Sequence, residues 1–478
     1  MIEVDFSVPD LPDLPDLPDL PDLPDLPDLP DLPDLPDLPD LPDLPVRDLA
    51  VRRLLRVEAD GAHVARLGGG DASPEAARRA SDYVAGVTRQ KRWLDFLLGA
   101  FYRGDLRSIE PVLLQVLRLG AYDLVVRETK PHAAVNEAVE AAKRLLRKGA
   151  GGLANGVLRA LARAQRDGTL PEPASGDPAD DLAVRHSHPT WMVCRWLAAF
   201  GPEATTRLLV HNNTPARYAL RVNAGPEAVP ALLDRLGEAQ AEASRWLDDF
   251  VTVGRLQPVL RGGLLDEGAV AVQDEAAGLV VRVLDPQPGE AVLDGAAAPG
   301  GKAIYAALRM QNEGRVVAVD LTEAKRALIV KSARVQGAAI IEAVKADLTA
   351  WDPGARFDRV LLDAPCSGTG VLAKRADLRW NRAPEDLADL AALQDRLLDA
   401  AAACVAPGGL LVYATCSVEP EENDARLDAF LGRHPSFSLE PVGDHAPASM
   451  RDGAVYRALP HVHGTDGAFA ARLRHHPD

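Results

Sequence analysis

The sequence predicts a multidomain protein in which an all-α domain is followed by an α/β domain of doubly wound, Rossmann-like topology. Two periodicities carry this prediction. In residues 46–166 apolar side chains recur at three- and four-residue spacing, at Val135, Val139, Ala142 and Leu146 and again at Leu153, Val157 and Leu161. That spacing marks helices with one buried face. After Gly289 the pattern becomes strand, loop, helix: a strand at 291–294, a loop at 295–303, a helix through Leu308 and a strand at 315–320. Such alternation builds a parallel sheet covered by helices. At 478 residues the chain also exceeds one ordinary core.

Ahead of the helical segment, residues 9–44 are twelve copies of Pro-Asp-Leu. A proline at every third position denies helix and internal sheet. The period matches a polyproline II turn, so residues 1–45 are expected to be a disordered, extended acidic tail. Charge is segregated: 14 acidic and no basic side chains in 1–45, 22 Lys or Arg against 13 Asp or Glu in 46–166, and a net charge of -12 in the remaining 312 residues. A basic helical domain beside an acidic one is compatible with a phosphate-bearing partner, and equally with a solvated helical surface. The cysteines at 194, 366, 404 and 416 form neither a disulfide framework nor a metal-binding pair, so no metal is expected. With no long uncharged apolar run and no signal-like start, no membrane partner is expected and the cytoplasm is the expected compartment.

Residues 167–181, with Pro171, Pro173, Gly176 and Pro178, read as a linker. The predicted division is a tail over 1–45, a helical domain over 46–170, a linker and further subdomain over 171–275, and the α/β domain over 276–478.

The α/β segment contains a ligand-binding pattern. Gly300 and Gly301 allow a tight turn and a close backbone approach at the C-terminal edge of the sheet. Asp320 ends the next strand, where a carboxylate accepts ribose hydroxyls, which by itself fits NAD as well. The loop lacks GxGxxG spacing, and two further acids, Asp347 and Asp363, follow later strands. Three carboxylates converging on one crevice suit a cationic sulfonium better than a pyrophosphate, which favours S-adenosylmethionine.

The strings DxxAAPGGK (294–302), DAPCSGTG (363–370), DLRW (377–380) and LVYATCSVEPEEN (411–423) resemble, in order, the motifs of the RsmB (Sun) family of RNA 5-methylcytosine methyltransferases. Pieces of 132–146 and 153–163 resemble the NusB-type RNA-binding domain. The resemblance implies an S-adenosylmethionine site formed by Ala296, Ala297, Ala298, Pro299, Gly300, Gly301 and Lys302 with Asp320, Asp347 and Asp363. It also implies an enzyme acting on 16S rRNA or an early small-subunit particle; a monomer is expected. Carbon 5 of cytosine is a poor nucleophile until a thiolate adds to carbon 6. Spacing leaves open which cysteine attacks; the resemblance assigns attack to Cys416 and the later release step to Cys366. Asp363 is expected to donate a proton to ring nitrogen 3, with its pKa raised in a desolvated pocket.

Residues 186–196 and 211–223 resemble the family's joining segment, which would place Arg221 and Asn223 near RNA, while Trp191, Cys194 and Trp196 are expected on a packed helix face. Removing residues 46–166 is expected to weaken RNA binding and leave cofactor affinity unchanged. The chain departs from the family at Gly295, Ala296, Arg375-Ala376 (usually His-Pro) and Ala468 (usually Phe). Two other readings compete: the same chemistry on tRNA or another rRNA position, and a non-catalytic RNA-binding assembly factor.

Overall fold

The computed structural model describes residues 45–60 and 73–476. The Pro-Asp-Leu repeat lies outside them. Among the described residues five helices form the first domain: α1 (Val46–Asp60), α2 (Pro74–Phe101), α3 (Pro111–Val125), α4 (Pro131–Leu145) and α5 (Lys148–Arg166). Three of them begin on proline, whose missing N–H costs nothing in the first turn. Apolar on most sides, α3 buries Val112, Leu113, Val116, Leu117, Leu119 and Leu124 and is the helix around which the others pack.

Two helices follow, α6 (Pro178–Arg185) and α7 (Thr190–Asn213), the second kinked where Gly201 precedes Pro202. The segment read as a linker is therefore helical from Pro178 onward. Next come β1 (Tyr218–Val222), α8 (Val229–Arg235), β2 (Ala241–Ala243), β3 (Phe250–Val253), α9 (Gln257–Arg261) and β4 (Val270–Val272), whose strands make an antiparallel sheet in the order β2-β3-β1-β4.

After α10 (Glu275–Leu284) the chain runs β5 (Ala291–Asp294), α11 (Gly301–Arg309), β6 (Arg315–Asp320), α12 (Glu323–Val335), β7 (Ile341–Lys345), β8 (Phe357–Asp363), α13 (Asp386–Ala403), β9 (Val405–Thr415), α14 (Asp424–Arg433), β10 (Phe437–Glu440), β11 (Arg451–Asp452), β12 (Val455–Ala458), α15 (Pro460–His463) and β13 (Ala468–His475). The sheet order is β11-β12-β13-β9-β8-β5-β6-β7, with β10 on β13. Strands β5 to β9 pair in parallel, whereas β13 joins β9 antiparallel and extends the doubly wound core into a mixed sheet. Val316 to Val319 and Val360 to Leu362 are buried because helices cover both faces, which is why these strands read as unbroken apolar runs. The order reverses between β5 and β8, opening a crevice at the strands' C-terminal ends.

Two expectations are overturned here. Trp196 is buried and Trp191 half-buried, but Cys194 is exposed on the outer side of α7. Arg221 does not face RNA: its side chain is 1% exposed, and it donates to Gln273 Oε1 at 2.6 Å, the Gly301 carbonyl at 2.8 Å and Asn223 Oδ1 at 2.9 Å. With four backbone and side-chain oxygens to bind, including Gln336, it joins the small sheet to the start of α11. Burial pushes its pKa down to about 10, and it remains charged at neutral pH.

Candidate active site

The crevice between β5 and β8 opens into a cleft of about 660 Å³. Asp320, Asp347 and Asp363 all line it, with Ala296 and Ala298 from the first loop. Gly300 takes a φ of 103°, a left-handed conformation that glycine tolerates, and caps α11. The rest of the loop points elsewhere: Ala297 is buried and hydrogen-bonds Val319, Pro299 is exposed, and the carbonyl of Gly301 is held by Arg221. At Gly295 an added Cβ would sit 2.7 Å from a Leu348 methyl, so Leu348 fills the space left by the missing side chain.

Each carboxylate has a distinct environment. Asp320 accepts from the Ala298 amide at 3.0 Å, the Leu321 amide at 2.7 Å and Lys325 Nζ at 2.8 Å. Asp347 is exposed, and hydrogen bonds from the Thr349 hydroxyl and then its amide hold its pKa below the usual carboxylate range. Asp363 accepts from Lys302 Nζ at 2.6 Å. Burial works against the Lys302 charge, but Asp363, then Cys416 and Asp294, outweigh it and raise the ammonium's pKa. A fourth acid was overlooked in the sequence although it opens the first motif string. Asp294, ending β5, is buried with Oδ2 lacking a hydrogen-bond partner, and burial followed by the nearby Asp363 pushes its pKa up to about 7.

The ion pair bears on the proton-donor role of Asp363. The Lys302 ammonium lies 2.6 Å from this carboxylate and its pKa is raised, so Lys302 is a proton-bearing group at the same place.

Cys416 follows β9 directly, and Cys366 lies three residues beyond β8; because these strands are parallel neighbours, with Asp363 opposite Ala414, the two thiols meet at 3.3 Å at the cleft floor. Cys404, by contrast, is buried under the sheet. The two cysteine loops touch closely: the Gly370 amide donates to the Cys416 carbonyl at 3.0 Å, and a Cβ on Gly370 would lie 2.7 Å from that oxygen. Below them sits a sealed polar network. Glu422 accepts from the Ser367 amide at 2.8 Å, the Ser367 hydroxyl at 2.5 Å and Gln394 Nε2 at 3.1 Å. Arg382 donates to the Ser367 and Cys366 carbonyls at 3.1 and 3.3 Å.

The DLRW string is a clamp between domains. Arg379, 0% exposed, donates to the Ser187, Asn212, Leu372 and Arg89 carbonyls and to Asn213 Oδ1 at 2.9–3.4 Å. Trp380 donates to the Thr88 carbonyl at 2.7 Å, and Arg89 donates to Ala373 at 2.8 Å. Helix α2 thus holds the segment that continues from Cys366, so the helical domain is in direct contact with the segment that borders the cleft. Arg375, where the family usually has His, forms part of the cleft wall and pairs with Asp377 at 3.3 Å. On the other side, Arg195 and Trp196 of α7 each reach Glu419 at 2.9 Å. No motif reading assigned roles to Glu419, Glu422, Arg379 or Trp380; their only signal was membership of the quoted strings.

A doubly wound sheet with carboxylates ending successive strands around one crevice fits an S-adenosylmethionine-dependent methyltransferase, the class that the family matches show. Residues 281–474 match the family described as 16S rRNA methyltransferase RsmB/F, 44–163 the NusB family, and 188–259 the ferredoxin-like domain of RsmF/B-like methyltransferases. The "Probable ribosomal RNA small subunit methyltransferase B" of Bacillus subtilis is 36% identical over 444 residues, covering 90% of this chain and 98% of that protein. The ribosomal RNA small subunit methyltransferase B of Klebsiella pneumoniae is 35% identical, covering 81% and 88%. A crystal structure of a methyltransferase homolog protein from Pyrococcus horikoshii superposes with a TM-score of 0.54 at 29% identity, over 63% of this chain and 99% of that one. The chain belongs to the RsmB family of rRNA methyltransferases, with a NusB domain at its N-terminal side. Among the described residues no helix is long and apolar enough to cross a membrane.

Proposed function

We propose that the protein methylates carbon 5 of a cytosine in 16S rRNA in the cytoplasm, through a bond between the Cys416 sulfur and carbon 6. The observation that carries this reading is the pair of thiols 3.3 Å apart at the floor of the carboxylate-lined cleft. Direct transfer to an exocyclic amine would need no nucleophile there, whereas carbon 5 becomes reactive only after a thiolate adds to carbon 6. Lys302 and Asp363 act as one proton-bearing unit at ring nitrogen 3: the ammonium holds the proton and Asp363 orients it. Once the methyl is on carbon 5, that carbon gives its proton to water. The carbon–sulfur electron pair then returns to Cys416, whose sulfur accepts the Cys366 S–H.

S-adenosylmethionine supplies an electrophilic methyl group on a cationic sulfur. The residues fit it: Asp320 for the ribose hydroxyls and Asp347 at the rim for the adenine amine line the cleft, and Asp294, buried beside the lining residue Gly295, has an unpartnered oxygen to balance positive charge. A cation bound near Asp294 lowers the pKa from about 7, so cofactor binding close to neutral pH should release a proton. Calorimetry in buffers of different ionisation enthalpy should detect it, and Asp294→Asn should abolish it; equal release from both proteins excludes Asp294 as the source. Without ligand, the native state keeps a proton that the unfolded chain has lost between pH 3.8 and about 7. Stability therefore falls as pH rises through that window, and Asp294→Asn should flatten the slope.

Bisulfite sequencing of total RNA from a deletion strain tests the substrate. The expected result is loss of one 5-methylcytosine in 16S rRNA; an unchanged 16S rRNA with a lost tRNA or other rRNA signal moves the same chemistry to that target. A purified protein that binds rRNA but transfers no methyl group is a binding factor instead.

A further inference from the structure

We propose that Glu422 is the positioning residue that gives the two thiols different tasks: its buried carboxylate clamps the Cys366 loop onto the Cys416 loop and sets the Cys366 S–H as the donor to the Cys416 sulfur. The inference rests on the covalent reading above and supplies what that reading lacks, a physical reason for the two cysteines to differ.

Glu422 comes six residues after Cys416, at the end of the turn Pro420–Glu422, and is 0% exposed. Its three donors, Ser367 N–H, Ser367 O–H and Gln394 Nε2, all point hydrogens at oxygen. Among the described residues no lysine or arginine pairs with it, although buried carboxylates are seldom left without a cation. Its negative field is therefore felt by its neighbours, and Ser367, its main partner, is the residue next to Cys366.

The groups around Cys366 are Cys416, Glu422, Asp363, Lys302, Tyr413 and Arg382. Its thiol is held well above the usual range, first by the hydrogen bond to Cys416, then by burial, then by the charges of Cys416, Glu422 and Asp363. The Arg382 guanidinium is occupied by the Cys366 and Ser367 carbonyls. Tyr413 donates its hydroxyl to the Glu422 carbonyl at 2.6 Å and remains neutral. Lys302 is the cation whose field reaches Cys416. An anion on the Cys366 side and a cation on the Cys416 side polarise the 3.3 Å contact in one direction, from a Cys366 S–H donor to a Cys416 acceptor. That bond steadies the attacking thiolate and stabilises the same sulfur again as it leaves carbon 6.

Peptide-resolved alkylation with iodoacetamide tests the proposal without RNA or turnover. In the unaltered protein at pH 7 Cys416 should be modified about tenfold faster than Cys366 or more, equivalent to one pKa unit between thiols of equal access. In Glu422→Gln, which keeps the shape and most hydrogen bonds but not the charge, the ratio should fall to about threefold or less, chiefly because Cys366 reacts faster. Faster modification of Cys366 in the unaltered protein overturns the proposal, and this arm depends on no variant's folding. A Glu422→Gln protein with an unchanged ratio leaves a clamp without electrostatic effect and overturns it equally. If the alkylation pattern appears but no protein–RNA adduct can be trapped, the covalent reading fails while the division between the thiols stands.

Discussion

Replacing Cys366 with alanine is expected to strand the protein on its own methylated RNA. Attack proceeds on the Cys416 sulfur, slowed by the loss of one supporting hydrogen bond, but the S–H that assists the departing sulfur from 3.3 Å is gone. With substrate RNA and S-adenosylmethionine, a gel-stable protein–RNA adduct should accumulate. Cys416→Ala should instead form no adduct and lose turnover by on the order of 10⁴-fold or more, with cofactor binding intact. The double variant should behave like Cys416→Ala, because removing the first step hides a defect in the last. An adduct from Cys416→Ala and none from Cys366→Ala would reverse the two roles.

Arg379→Ala should be the most destabilising single change outside the sheet core. Its guanidinium satisfies five oxygens contributed by α2, the turn before α7, the end of α7 and the segment after Cys366. Leaving buried carbonyls unpaired costs about 1–3 kcal/mol each, so a loss of roughly 3 kcal/mol or more is expected after partial relaxation and water entry. Arg379→Lys should not rescue it, since a compact ammonium cannot span the same set. Burial has already pushed the Arg379 pKa down to about 9, which marks how little water reaches the group. Urea unfolding followed by tryptophan fluorescence would measure the loss. A change within about 0.5 kcal/mol, the range of ordinary surface substitutions, would show that the domains dock without this residue. Methyl transfer should fall with stability because Leu372, one of its partners, lies six residues beyond Cys366.

The consequence for domain organisation is that the helical domain does more than present charge. Its helix α2 supports the segment running from Cys366 to Trp380, so truncation at residue 166 uncovers Arg379 and Trp380 as well as removing basic surface. A truncated protein that bound S-adenosylmethionine with unaltered affinity would show that this support matters only for RNA.

By itself the sequence determined the order of helical and α/β segments, the first two of the five parallel strands, and the strings around the cleft. These were legible because helix and strand periods, proline starts and glycine turns are properties of neighbouring residues. Strand ends also place Asp320 and Asp363 on one crevice once the sheet is known to be parallel. What only the tertiary structure decided are the facts that depend on residues far apart in the chain. Cys366 and Cys416 are 50 residues apart and become a pair because β8 and β9 are neighbours in register. The resemblance placed Arg221 near RNA, yet it is turned inward onto Gln273 and Gly301, 52 and 80 residues away. A guanidinium binds carbonyl oxygens and phosphate oxygens with the same donors, and only packing selects between them. Asp294 and Glu422 stood in plain motif strings without a role, because a carboxylate's chemistry is set by the water and charge around it, and burial supplies both.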